Sequence, residues 1–460
     1  MSRYGLGRAG TARVTAMPAR GGGGDWLGQP RGLSILFLTQ MWEIFSYYGM
    51  RALLVYYMTK QLLLGQQQAS MIYGLYTAAV YFTPIIGGVI SDRWLGRRRA
   101  VIIGGTVMAI GHFLMASEGL FYFALAAIAL GNGLFLPSLP SQIDGLYAKD
   151  DPRRGSAYNV YYVGTNVGGL LAPLVCGTLG ELYGWHWGFG AAGIGMLGGL
   201  AIYILGGRYL PPDTVGSRKA VRASVAAVQP RKRELRQTVL VLSGIALTVM
   251  LFRGAYEQVG NTIALWADSG VDRHITGALS IPMTWFQALN PLLVIALTPV
   301  FVAHWTRQAR KGREPAPVRK MSMGAMGVAM AYLLLATVCV ATQGLASWLW
   351  LALFFVMLTA GELFILPVGL GLFARLAPDG HGATTIAAWF FATFGGSLLA
   401  GALGMLWSEI GPAAFFALMA AVAAAAAVVL RLLDPPARRV ESASASANGV
   451  GARGECCPAD

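Results

Sequence analysis

Apolar runs of about 20 residues, the length that crosses a bilayer core about 30 Å thick, recur from Leu33 to the neighbourhood of Leu433 with only short polar breaks between them. They fall at 33–58, 69–91, 99–117, 119–148, 155–182, 186–207, 238–267, 276–305, 320–343, 346–376, 382–408 and 411–433. The pattern predicts an all-α integral membrane protein of twelve transmembrane helices. The longest polar connection, residues 208–237, divides them into an N-terminal six-helix bundle (31–207) and a C-terminal one (238–433). Residues 1–30, rich in Gly and Arg, and residues 434–460, with the run SASASANG, read as a disordered cytosolic arm and tail.

Composition agrees with the pattern: 55% of the 460 residues are hydrophobic, 12% are charged, and the mean hydropathy is +0.56. A net charge of +14 would suit nucleic acid if it were gathered on a polar face, but here it is set by topology. Of the 35 Lys and Arg, all but Arg51, Lys60, Arg253 and Arg273 lie in the two arms, the even-numbered connections or the span ends beside them. By the positive-inside rule both termini are cytosolic, in a cell membrane. The first 30 residues lack the apolar core and cleavage site of a secretory signal. The linker reads as a solvated basic segment, or as a short interfacial helix with Val221, Val225 and Val228 on one side. Cys176, Cys339, Cys456 and Cys457 show neither a disulfide framework nor ligand spacing, so no metal and no cofactor is expected.

Charges inside a bilayer cost at least about 2.5–3.5 kcal/mol each, so they face a bundle interior and find partners. Here they are Glu43 and Arg51 in span one, Arg253 and Glu257 in span seven, and Glu362 in span ten, with Asn166 and Asn290 as amide companions. The spacing of Gln40, Glu43, Ile44, Tyr47 and Arg51 places them along one side of a helix. Arg51 and Glu257 should lie at similar depth in the outer half, as candidate partners across the two bundles, either as a gate or as an ion pair that fixes helix packing. Arg253 and Glu257 are i and i+4 on one helix, so an intrahelical pair competes. Glu43 is read either as a coupling group or as a hydrogen-bonded core acid. In the inner half Leu136 of span four stands at the depth of Glu362. Tyr47, Tyr48, Tyr81, Tyr161, Tyr162, Phe286 and Trp389 are either core aromatics or the walls of a pocket for an amphipathic solute. GNGLFLP (131–137) and GELFILP (361–367) echo one another on spans four and ten, as a parallel two-half repeat would leave them.

Several motifs then resemble one family. GGVISDRWLGRRRA (87–100) is similar to the facilitator loop signature, with Asp92, Arg93, Gly96 and Arg97 at its charged and turning positions. YYVGTNVGG (161–169) resembles FYxxINxG, and YEQVGNTIALWAD (256–268), MTWFQALNPLLVI (283–295), GELFILPVGL (361–370) and WFFAT (389–393) resemble the corresponding stretches of spans seven, eight, ten and eleven. Together they resemble the proton-dependent oligopeptide transporters of the major facilitator superfamily over about residues 33–408. The resemblance implies a central cavity opened alternately to each side, taking up di- and tripeptides with protons. Arg51 would bind the peptide carboxylate or pair with Glu257 at the outer gate, and Glu362 with Asn290 would receive the amine. Tyr47, Tyr48, Tyr81, Asn166 and Trp389 would line the pocket.

Departures from the family pattern sharpen this. Where the family has ExxERFxYYG the chain has QxxEIFSYYG, so Gln40 and Ile44 replace a glutamate and an arginine, and Leu136 replaces the lysine of span four. Arg253 stands at a position usually aromatic and is a candidate source of the positive field lost at 44 and 136. The connection at 208–237 is too short for the two-helix insertion of many bacterial relatives. The expected protein is therefore not an enzyme but a secondary transporter of di/tripeptides or peptide-like solutes, working as a monomer, with proton coupling through Glu43, Glu257 or Glu362. The alternatives are a proton-independent facilitator or exporter of a modified peptide, and a peptide-sensing receptor that does not transport.

Overall fold

The computed structural model describes residue 26 and residues 28–148, 151–213, 232–276, 279–342, 344–377 and 382–451. The proposed arm at 1–30 and linker at 208–237 thus lie largely outside the described residues. Long helices dominate, since in lipid a helix satisfies every backbone donor and acceptor within itself. They are α1 (Arg31–Tyr56), α2 (Gln66–Ile90), α3 (Arg97–Leu114), α4 (Phe121–Ser138), α5 (Arg154–Ala172), α6 (Trp185–Leu205), α7 (Lys232–Tyr256), α8 (Phe286–Arg310), α9 (Pro317–Ala341), α10 (Trp348–Leu363), α11 (Gly382–Gly404) and α12 (Trp407–Gly451). Among the described residues ten helical segments are long and apolar enough to cross a membrane. The two long helices outside that set are α1, with Gln40, Glu43 and Arg51 in its interior, and α3, which opens on Arg97, Arg98 and Arg99.

Two halves pack around separate cores. Phe45, Met50, Tyr57, Phe121 and Phe189 belong to one core of α1–α6, and Leu36, Met108, Phe135 and Tyr203 to a second. Phe252, Tyr332, Phe354, Phe373 and Phe415 belong to a single core of α7–α12. A small apolar cluster of Val55, Tyr56, Ala264 and Met283 joins the halves at the end away from the termini, called the far end below. At the termini end Gly96, with φ of 79°, turns the chain into α3. Asp213, after α6, accepts from the backbone N–H of Arg97 (2.9 Å) and Arg98 (3.2 Å), placing a carboxylate on that helix N-terminus. Arg97 also donates to the carbonyl of Ser141 at 2.8 Å.

Three boundaries differ from the sequence reading. Residues 276 and 279–282, in the stretch read as the start of span eight, do not begin the helix: His274–Thr276 pairs antiparallel with Leu279–Ser280, and Ile281 bonds back to the carbonyl of Arg273 at 2.8 Å. Only after Pro282 does a 3₁₀ turn, Met283–Trp285, lead into α8. α7 begins at Lys232, inside the stretch read as linker. α12, broken near its start by a kink at Gly411 where φ is 76°, runs past Asp434, where a disordered tail was expected, to Gly451. Ala437 is buried there, and Arg438 pairs with Asp434 one turn away at 2.7 Å.

Two helices are interrupted inside the bundle. α7 gives way to a 3₁₀ turn, Glu257–Gly260, and resumes as the helix Thr262–Ser269. α10 stops at Leu363 and resumes at Leu366–Arg375. Both interruptions coincide with a buried carboxylate.

Candidate functional site

Glu257 lies at the α7 interruption, 1% exposed, and carries an arginine on each oxygen. From α1, Arg51 donates through Nη2 to Oε2 at 2.5 Å. From one turn earlier on α7, Arg253 donates through Nη2 to Oε1. The interhelical and intrahelical pairs, alternatives in the sequence, thus coexist, because a carboxylate has two oxygens and each guanidinium takes one. The rest of each guanidinium lies among aromatic rings. Arg51 donates from Nε to the Tyr73 hydroxyl at 2.7 Å and sits 5.6 Å from the ring centres of Tyr48 and Tyr73. Arg253 lies 5.2 Å from the Tyr81 ring and 5.3 Å from that of Tyr256, cation–π contacts that partly replace lost hydration.

A second polar group sits at the α10 interruption. Asn290 of α8 donates through Nδ2 to Glu362 Oε2 at 2.6 Å and to Thr359 Oγ1 at 3.1 Å. Leu136, expected opposite Glu362, is half-buried, and the carboxylate is held by the amide instead. A third group belongs to the N-terminal half. Gln40 donates through Nε2 to Glu43 Oε2 at 2.8 Å while its carbonyl accepts from the Tyr161 hydroxyl. Glu43 is 2% exposed, and the side chain one residue on is Ile44, itself buried. The acid's partner is thus an amide one turn away.

The other predicted residues are placed as follows. Tyr47 stacks edge-on against Tyr48, with ring centres 5.4 Å apart. Asn166 turns its amide to the carbonyl of Tyr162 on its own helix, at 3.0 Å. Trp389 packs into the C-terminal core, 5.3 Å from Phe373 and over Gly369, and is not drawn into the arginine cluster. Sequence reasoning missed the polar network around Tyr73, Gln258 and Asn261. Gln258 donates to the carbonyls of Gly254 (3.1 Å) and Ala400 (2.9 Å), and Ser70 donates to Asn261 Oδ1 at 2.9 Å. Gly260 carried the signal for the break beside this network, since an isolated glycine weakens a helical run.

Further bonds between the halves run from the level of Arg51 to the far end. Gln287 donates to the carbonyl of Ala52 (3.2 Å), Tyr56 to that of Ala264 (2.8 Å), and Lys60 pairs with Asp268 at 2.7 Å. Glu181 accepts from the backbone N–H of Met283 (3.0 Å) and Thr284 (2.9 Å) at the entry to α8. Gly74 and Gly401 bring α2 and α11 together so closely that a Cβ on Gly74 would lie 2.4 Å from Cα of Gly401. On the termini side of Met250, residues of α2, α7 and α11, among them Phe82, Leu242, Met250 and Phe391, line an apolar cavity of about 900 Å³.

This fold and sequence have counterparts among known proteins. The POT family model matches residues 98–231 and 213–414. A di-/tripeptide transporter of Lactococcus lactis subsp. cremoris is 34% identical, with 80% of this chain and 87% of that protein covered. The peptide transporter YePEPT of Yersinia enterocolitica is 32% identical over 83% of this chain and 89% of its own length. Among solved structures, a crystal structure of a POT peptide transporter in complex with sulfate is similar at a TM-score of 0.83 and 28% identity, covering 91% of this chain and 97% of that one.

Proposed function

Since the chain belongs to the POT family of multi-pass membrane transporters, we propose that it moves di- or tripeptides or peptide-like solutes by alternating access between its two halves. In this reading α1–α12 all span the cell membrane, both termini are cytosolic, the chain works as a monomer, and the far end faces outside. The conformation is then the one closed to the outside. The observation that carries the reading is the Arg51–Glu257 pair at 2.5 Å. It is buried, it ties α1 to α7, and the bonds at Tyr56, Lys60 and Glu181 continue the seal beyond it. A zwitterion leaving water needs opposite charges at its two ends. Arg51 supplies one for a carboxylate, and Glu362, held by Asn290, supplies the other for an amine. Tyr47, Tyr48 and Tyr81 form aromatic walls that accept varied side chains.

Proton coupling is the finer question. With Gln40, Ile44 and Leu136 neutral, three positions of the family's coupling and inner-gate set carry no charge. That supports a second reading, a facilitator or exporter that runs without protons. Uptake of labelled alanyl-alanine into proteoliposomes, with and without an imposed pH gradient, tests both. Saturable accumulation driven by the gradient supports coupling through Glu43, Glu257 or Glu362, and counterflow that ignores it supports the facilitator. Binding without any flux would leave a receptor, and neither binding nor flux of any small peptide would end the peptide reading.

A further inference from the structure

The charge count at the α1–α7 contact does not close. Arg51 and Arg253, 8% and 5% exposed, share the single carboxylate of Glu257, and Arg253 Nε is buried without a hydrogen-bond acceptor. Glu257 and Arg253 lie on one helix a turn apart, with Gly396 of α11 pressed on the Arg253 side chain, so they travel together in any motion of the C-terminal half. Arg51 belongs to the other half. When the halves part, a lone Arg–Glu contact would strand a carboxylate in a low-dielectric site, a state that a proton relieves. Here that carboxylate keeps Arg253.

We propose that Arg253 is a resident counter-ion for Glu257, so that opening frees only the Arg51 guanidinium, which takes the anionic group of the solute, and no proton on Glu257 is needed. This rests on the alternating-access reading given above. The other titratable groups within electrostatic reach of the cluster are Tyr47 and Tyr48 on α1, Tyr73, Tyr76 and Tyr81 on α2, Tyr256 on α7, Tyr332 on α9 and Glu362 on α10. Glu362 is engaged by Asn290 in the C-terminal half, so it moves with Glu257 rather than across the contact. Arg253 is thus a positioning residue: it holds the charge state of Glu257 constant while the solute exchanges on Arg51.

The test compares alanyl-alanine counterflow by the wild type, Arg253→Leu and Arg253→Lys between pH 5.5 and 8. Removing the counter-ion should make opening depend on protonation of Glu257, so Arg253→Leu should lose at least tenfold in rate at pH 8 relative to its rate at pH 5.5. The wild type and Arg253→Lys should share one pH profile. An Arg253→Leu profile parallel to that of the wild type overturns the proposal, since a merely structural role would lower the rate equally at every pH. Spin labels on cysteines placed at the exposed Gln68 and Ser269, read in nanodiscs without solute, follow far-end opening directly. If no variant moves peptide, the substrate reading fails. Opening that becomes pH-dependent only in Arg253→Leu still upholds the counter-ion, and a pH response equal in wild type and variant refutes it.

Discussion

α3 and α4 in one half cross as α9 and α10 do in the other. A Cβ on Gly131 would lie 2.6 Å from the carbonyl oxygen of Gly104, and one on Gly361 2.6 Å from that of Gly324. The residue after each glycine differs. Asn132 donates its amide to the carbonyl of Val80 at 3.0 Å, and α4 continues unbroken to Ser138. Glu362 carries a carboxylate to Asn290, and α10 breaks one residue later. The two halves share a frame, but the helices that break at a buried carboxylate both belong to the C-terminal one. The N-terminal half contributes Arg51, which crosses to Glu257, Glu43, which is held by an amide, and the buried His112 of α3. Close packing sets the frame and tolerates no change, whereas the chemistry is carried by single side chains that can differ between the halves.

The strongest challenge to that symmetry is steric. Gly131→Leu and Gly361→Leu each drive a side chain onto a facing backbone carbonyl, which cannot move aside as a side chain can. Both should exceed the usual overpacking cost of about 1–3 kcal/mol and abolish a monodisperse protein in detergent, as size-exclusion chromatography would report. Tolerance of one and not the other would end the equivalence of the two crossings. Next comes Glu257→Ala, which leaves two buried guanidiniums without their carboxylate. A loss of about 3–5 kcal/mol, typical of breaking a buried pair from one side, should appear as a lower melting temperature together with lost uptake.

Glu362→Gln separates chemistry from frame, because it keeps shape and removes charge. Uptake of alanyl-alanine should fall at least tenfold, about 1.4 kcal/mol, with the melting temperature nearly unchanged. Its counterpart Asn132→Ala should do the reverse, costing about 1 kcal/mol of stability for one lost hydrogen bond while uptake stays within about twofold. The smallest effect is expected at the half-exposed Lys60–Asp268 pair, whose loss in Lys60→Ala should cost less than about 1 kcal/mol and move the uptake rate only slightly.

Much of this molecule is legible in its sequence. Apolar runs of bilayer length locate nearly every long helix, because lipid forces the backbone to satisfy itself within each run. The i, i+3, i+4 spacing of Gln40, Glu43, Tyr47 and Arg51 places them on one buried side of α1, since a helix aligns such positions whatever surrounds it. The sequence reading falls short where a choice depends on neighbours distant in the chain. The strands His274–Thr276 and Leu279–Ser280 are apolar enough to pass for the start of a helix, and only their pairing makes them strand-like.

The sequence alone thus determined the membrane class, the places of most of the apolar segments, and the identity of the charges that had to be buried. Tertiary structure decided which oxygen each arginine takes, that Arg51 and Arg253 share Glu257 instead of competing for it, and that both carboxylates sit where helices break. Hydropathy is a local sum along the chain, but a buried charge is stabilised by whatever lies within a few ångströms of it in space.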